Sequence, residues 1–299
     1  MLIWFLVALG SAILNSLSQA AQKLVVLVGR YSKFTLSFVM TATAATILIL
    51  LSYIIHGMPT VGPEFWKAVF ISGLLNAVAF PVMLKAYEVG EFSSVYSMIL
   101  LTPVFLLITS FFTLGEAPTL TGVIGVILTV VGLVIVARGK EEAVKVPDAR
   151  LGNWLGVGAA FIFSISVNYD KLAAVHSDRF LGFGAISAVA AVIMGAYLLV
   201  RHRRLIVQTT GVGAETVPHH LAFSNILILF VLGCLMALNG IFHSSALLLG
   251  FASYTIAVKR LGVLFGVVWG WLFFHEKNIS RKFFGAAVAV AGVIAILFS

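Results

Sequence analysis

An all-α integral membrane protein, with ten transmembrane helices arranged as two inverted five-helix repeats, is the fold this sequence predicts. Three observations predict it. The 299 residues are 61% hydrophobic and only 10% charged, with a mean hydropathy of +1.11. The apolar residues fall in runs of membrane-spanning length, and the second half of the chain repeats spaced features of the first. A water-soluble domain carries about a quarter charged residues. This chain has too few ionic groups to cover a globule in water, so its solvent is lipid.

Cutting apolar runs of about 18–25 residues at charge, Pro and Gly clusters predicts the spans in order. They are Leu2 to Val26, Phe34 to Ile55, Phe65 to Ala86, Phe92 to Thr113, Pro118 to Ala137, Leu151 to Ala174, Phe180 to Val200, Leu221 to Leu249, Ser253 to Phe274 and Lys282 to Phe298. The first span lacks a basic leader and a small-residue cleavage site, so it reads as a helix of the bundle. Pro103 predicts a kink in the fourth, where a neighbour can satisfy the freed carbonyl. Pro118 suits the first turn of the fifth. The spans leave no room for a soluble domain. The charged connector 138–150 separates a first repeat, 1–137, from a second, 151–299.

A shift of 160 places Glu116 on Glu276, Gly125 on Gly285 and Gly132 on Gly292. A shift of 148 pairs Ser16, Ser18 and Lys23 with Ser164, Ser166 and Lys171. Small residues match by chance in any membrane protein; Glu followed by Gly at plus nine and plus sixteen, twice, carries the weight. Five spans per repeat is an odd number, so the second copy enters from the opposite side and the repeats are inverted.

The charge balance of +8 does not imply nucleic acid, because Lys and Arg gather in connectors and helix ends as the positive-inside bias expects. The connectors after odd-numbered spans hold most of them, including Arg201, Arg203 and Arg204. One cysteine, Cys234, rules out an intrachain disulfide. There is no phosphate-binding loop for ATP driving, and His219-His220 is too little for a metal site and reads as loop.

A charge inside a span costs about 2.5–3.5 kcal/mol on insertion scales, so it needs a cavity or a partner. Lys259 and Arg260 lie six or seven residues into the ninth span, about 9–10 Å below its start. They would serve an anion as a compact charge and a planar fork; the structural alternative is snorkelling to the interface. Polar faces at helical spacing surround them: Asn15, Gln19 and Gln22 on the first span, Ser164, Asn168 and Lys171 on the sixth, Asn239 and His243 on the eighth. Lipid cannot satisfy amides, so these faces turn inward, either lining a cavity or bonding helices together. The candidate substrate site is thus Lys259, Arg260, His243, Asn239, Asn15, Gln19, Asn168 and Lys171.

Gly262, Gly266 and Gly270 recur every four residues, while Gly125 with Gly132 and Gly285 with Gly292 lie two turns apart. Such rows let backbones approach closely, within the chain or between two copies in a homodimer. Glu116 and Glu276 read as negative charge at the starts of the fifth and tenth helices. Glu88, Glu91 and Asp170, the acids nearest the spans, fall near span ends. A proton-for-cation exchanger wants a buried carboxylate, so cationic drugs are disfavoured.

Ten spans in two halves, Gly115-Glu116 and His275-Glu276 each followed by a G-x6-G, Lys23 and Lys171 closing the first helix of each half, and Pro103 in the fourth together resemble the drug/metabolite transporter superfamily, EamA-like branch. The segment Ala252 to Leu261 is also similar to the ninth helix of the plastid triose-phosphate translocators. That likeness implies an anion clamp at Lys259 and Arg260. The family resemblance implies alternating access by rocking helices about a central site, without a cofactor; taken with the basic pair, the reading is a secondary transporter of a small anionic or zwitterionic metabolite, expected in the cytoplasmic membrane. The alternative from another class is a membrane-embedded enzyme acting on a lipid-linked phosphate, with His243 as acid/base beside Lys259 and Arg260.

Overall fold

The computed structural model describes residues 1–27, 33–89, 92–137, 148–208, 219–265 and 279–299. Among these the regular structure is all helix: α1 (Leu2–Leu27), α2 (Lys33–His56), α3 (Phe65–Val89), α4 (Phe92–Ile99), α5 (Thr102–Leu114), α6 (Leu120–Ala137), α7 (Ala149–Val175), α8 (Leu181–Gln208), α9 (His219–Leu249), α10 (Ala252–Arg260) and α11 (Ile279–Leu297). Segments Thr35–His56, Ser97–Leu114, Ala149–Val175, Leu181–Arg201 and Ile228–Leu249 are long and apolar enough to cross a membrane. Leu2–Ser18, Phe65–Ala79, Leu120–Val136 and Phe284–Leu297 are shorter apolar helices. The protein is an integral membrane protein.

Its burial pattern is that of a lipid-solvated bundle. Large apolar side chains such as Trp66, Phe112, Trp154, Val192 and Phe298 point outward, while Ala8, Ala12, Ala44, Ala159, Ala160, Ala246 and Ala257 are fully buried. Lipid tails are as apolar as leucine, so large side chains gain little by turning inward, and small ones allow the close contacts that hold helices together.

The α6–α11 pair shows this most sharply. A Cβ on Gly125 would stand 2.7 Å from the Gly292 carbonyl, and one on Gly285 would stand 2.7 Å from the Gly132 carbonyl. The glycine rows of the fifth and tenth spans therefore meet each other, Gly125 at Gly292 and Gly132 at Gly285. Gly262 packs on the Ala12 carbonyl of α1; Gly266 and Gly270 lie outside the described residues.

The fourth span is two helices rather than one kinked helix. α4 stops at Ile99, the chain turns at Leu100–Leu101, and α5 restarts with Pro103 in its first turn, where a missing N–H costs nothing. α10 is interrupted likewise at Leu261 and is helical again over 262–265. Under the shift of 160, the two breaks fall on the same place. Pro118 precedes the fifth span's first turn instead of lying in it: Thr119 Oγ1 accepts from the Gly122 N–H at 3.1 Å and caps α6. His219 opens α9 and is not loop.

Contacts follow a matched pattern. α6 packs on α11 and α2 on α8; α3 on α7 has its counterpart in α9 on α1, and α3 on α8 in α9 on α2. α4 and α5 lie against α7 as α10 lies against α1, and α5 meets α10.

Both chain ends come to one end of the bundle, where Met1, Trp4, Thr119, Lys171, Gly250, Tyr254 and Ser299 help line a cavity of about 410 Å³. At this end Asp178 caps α8 through the Phe180 and Leu181 N–H groups and accepts from Ser52 of α2 at 2.6 Å. At the other, Asp148 caps α7 and its own N–H donates to the Val89 carbonyl.

Candidate solute-binding site

α10 is the innermost helix of the site. Its residues Ala252 to Val258 are all buried, and it delivers Lys259 and Arg260 in its last turn, where cations meet the negative end of the helix dipole. Arg260 turns inward: its Nη2 donates to Thr102 Oγ1 at 3.1 Å. Thr102 opens α5 and in turn donates to the Ile99 carbonyl at 2.7 Å. The Arg260 side chain thus ties the break in the ninth span to the break in the fourth.

The polar face of α9 bridges two other helices. Asn239 Oδ1 accepts from Ser11 of α1 at 2.9 Å. One turn on, His243 Nε2 stands 3.6 Å from Asp170 Oδ2 of α7, with the imidazole buried and the carboxylate mostly covered. The Phe183 ring of α8 meets the imidazole edge-to-face at 5.9 Å between centroids. Asp170 also accepts from Ser72 of α3, which is 3.0 Å from Ser166 Oγ and accepts from Asn76 at 3.2 Å. Lys259, Arg260 and Asp170 all act on His243 through charge, and Asp170 acts on Lys259.

Asp170 corrects a sequence expectation. It lies within α7, which runs to Val175, and its carboxylate, 11% exposed, turns toward Ser72 and His243 inside the bundle. Cationic solutes are therefore no longer disfavoured for want of such a group. The signal was present in helical spacing: Ser166 with Asp170, and Ser72 with Asn76, each four apart on facing helices. Glu88 lies in α3 without a described side chain, and Glu91 is outside the described residues.

Serine, aspartate and histidine do meet here, but in the wrong order for nucleophilic catalysis. The carboxylate stands between hydroxyl and imidazole, so the serine proton points at Asp170 and no imidazole is placed to take it.

Several buried polar atoms have no protein partner: Ser16 Oγ on α1, both amide atoms of Asn168 on α7, His243 Nδ1 on α9, and Ser253 Oγ and Tyr254 OH on α10. Buried polar atoms are ordinarily paired, so such a group points to water or solute in the interior.

Lys171 is placed differently from the rest of the predicted set. Its Nζ donates to Glu116 Oε1 at 2.5 Å and to the Gly250 carbonyl at 2.7 Å. Glu116 accepts from the Ala252 N–H through both carboxylate oxygens, at 3.1 and 2.8 Å. The expectation that Glu116 serves the start of the fifth helix is corrected: it caps α10. Gly115 sends it there. With φ of 68°, this left-handed residue closes α5 by donating to Phe111, and Glu116 donates to Ser110, which swings the carboxylate toward α10. Lys171 is thus committed to the bundle end, where α10 begins, while Lys259 and Arg260 lie where it stops. Asn15 is half-buried on α1, one turn past Ser11. The side chains of Gln19, Gln22 and Lys23 are not among those described, and Glu276 lies outside the described residues.

Residues 2–138 match the EamA-like transporter family. The match points to a membrane transporter of the drug/metabolite type. One solved crystal structure superposes with a TM-score of 0.74 over 98% of this chain and 98% of its own, at 15% identity, which establishes a shared fold. No curated protein matches the chain.

Proposed function

We propose that this protein is a secondary transporter that carries a small anionic or zwitterionic metabolite by alternating access, with Lys259 and Arg260 as the anion clamp. The observation that carries this reading is the set of unpartnered buried atoms on α1, α7, α9 and α10, on helices that also bring in Lys259 and Arg260. A closed structural core would pair these atoms. A pocket that alternately takes up and releases solute leaves them to water and substrate. His243, Asn239, Asn15, Gln19 and Asn168 complete the proposed lining, and Asp170 gives a zwitterion's cationic group a counter-charge.

The matched contacts and the paired breaks in α4–α5 and α10 support ten spans in two inverted five-helix repeats, 1–137 and 151–299, joined by 138–150. In that reading, one repeat half rocks against the other about the α5–α10 contact. The EamA match over residues 2–138 supports a non-enzymatic carrier, and we place it in the cytoplasmic membrane with solute and lipid as its partners.

Purified protein in liposomes, given a mixture of labelled inorganic phosphate, glycerol 3-phosphate, malate and glutamate, tests the reading. Uptake of at least one is expected, and its loss in Lys259→Gln or Arg260→Gln with thermal unfolding preserved. Uptake unaffected by both substitutions would overturn the clamp.

A further inference from the structure

We infer that Asp170 and His243 form a proton site, and that the protein couples solute movement to a proton held there. This rests on the solute-carrier reading above. The geometry is specific. His243 and Asp170 face each other at 3.6 Å from α9 and α7, the imidazole buried and the carboxylate mostly covered. Groups from α1, α3, α7, α8 and α10 stand about them. From α3, Ser72 donates to Asp170 and Asn76 donates to Ser72. From α7, Ser166 sits beside Ser72. From α8, the Phe183 ring covers one edge of the imidazole. From α1, Ser11 holds Asn239, one turn away from His243. From α10, Lys259 and Arg260 reach the pair through charge.

A purely structural ion pair would leave no polar atom orphaned. Here the second imidazole nitrogen, Nδ1, is buried without a protein partner, so one nitrogen faces the carboxylate and the other keeps its hydrogen-bonding capacity unspent. A proton arriving there has an imidazole to receive it and a carboxylate to hold it.

The coupling follows from the sign of the charges. With the clamp empty, Lys259 and Arg260 oppose a further positive charge on His243. An anion seated on the clamp cancels that field, and a proton on His243 then sits beside a neutralised pair and a carboxylate. By linkage, the proton favours the anion as much as the anion favours the proton. The two ligands therefore travel together, and a monoanion carried with one proton moves no net charge. Without such a site, a cationic clamp alone would make uptake insensitive to a pH gradient for an anion whose own charge is constant near neutrality, such as glutamate.

The experiment uses the full chain in liposomes with a trapped pH-sensitive dye and the four-solute mixture of phosphate, glycerol 3-phosphate, malate and glutamate. Expected is interior acidification that accompanies uptake, and uptake several-fold faster with an acidic exterior. In His243→Gln and Asp170→Asn, whatever uptake remains loses both its acidification and its response to the gradient. Uptake by the unaltered protein without acidification, and equally fast at either pH difference, would overturn the proton site while leaving the carrier reading in place. No uptake of any of the four solutes would overturn both. Since the first arm uses the unaltered chain, a variant that fails to fold does not rescue the proposal.

Discussion

Two polar regions share α7 and α10, and they are built on opposite terms. At the bundle end, Lys171, Glu116, the Gly250 carbonyl and the Ala252 N–H satisfy one another within 2.5–3.1 Å. Beside them on the same two helices, Asn168, Ser253 and Tyr254 are buried with polar atoms left over. Both regions have to meet the cost of desolvating polar groups. The first meets it with protein partners alone, as a fixture does. The second leaves part of it open, as a site that must exchange water for solute does.

The contrast breaks most readily at the end network. Glu116→Gln leaves the Lys171 ammonium, 16% exposed, without its counter-charge. Removing one partner of a buried pair costs about 3–5 kcal/mol, so thermal unfolding in detergent should move down by many degrees. The double replacement Glu116→Gln with Lys171→Met should regain part of the loss, because it removes the stranded charge. A single variant as stable as the parent would show that the ion pair is not what holds α7 to the start of α10.

Arg260→Gln tests the other region. Truncating a hydrogen-bonded buried charge costs about 2–5 kcal/mol of binding, which is roughly 30-fold or more in solute affinity. Stability should change less, since Thr102 keeps its bond to the Ile99 carbonyl. Binding measured by ligand-dependent thermal shift and uptake should fall together. A large loss of stability with affinity intact would reverse the assignment of the two regions.

The sequence made the helices and the α6–α11 seam legible because both depend on local patterns. Apolar run length marks a span whatever its neighbours are, and a glycine row marks a close approach even before its partner is known. Gly125, Gly132, Gly285 and Gly292 illustrate this: their spacing shows on the chain, and only their mutual pairing needed the fold. Asp170 and Glu116 were misread for a common reason. Position along a span says how deep a side chain starts, not which helix it meets. Whether Asp170 faces water or Ser72 and His243, and whether Glu116 caps α6 or α10, is decided by contacts between residues far apart on the chain. The break at Leu261 was equally invisible, since no proline marks it as Pro103 marks its counterpart.

The seam itself gives a smaller effect. Gly132→Val would push a side chain into the Ala289 backbone and the Gly285 carbonyl, and overpacking of this kind costs about 1–3 kcal/mol. A methyl group on Gly158 of α7 would meet nothing within 4 Å, so Gly158→Ala should hold or raise stability by about 0.4–1 kcal/mol. Equal losses from both would show that α6 and α11 separate at little cost, and that the glycines are not what seats them.

The smallest expected change in stability comes from Asn168→Leu, and it sharpens the comparison most. Asn168 is fully buried, and neither amide atom has a protein partner. Leucine is close to it in size and carries no polar atom to desolvate, and replacing an unsatisfied polar group by an apolar one of similar shape is nearly neutral or stabilising. Unfolding should therefore stay within about 1 kcal/mol of the parent, or rise. Uptake should fall nevertheless, because the amide's hydrogen-bonding capacity is reserved for water and solute rather than for helix contacts. The same substitution at a fixture such as Glu116 would cost stability first. A clear loss of stability in Asn168→Leu, with uptake unchanged, would mean the amide holds the bundle together, and the distinction between the two regions of α7 would disappear.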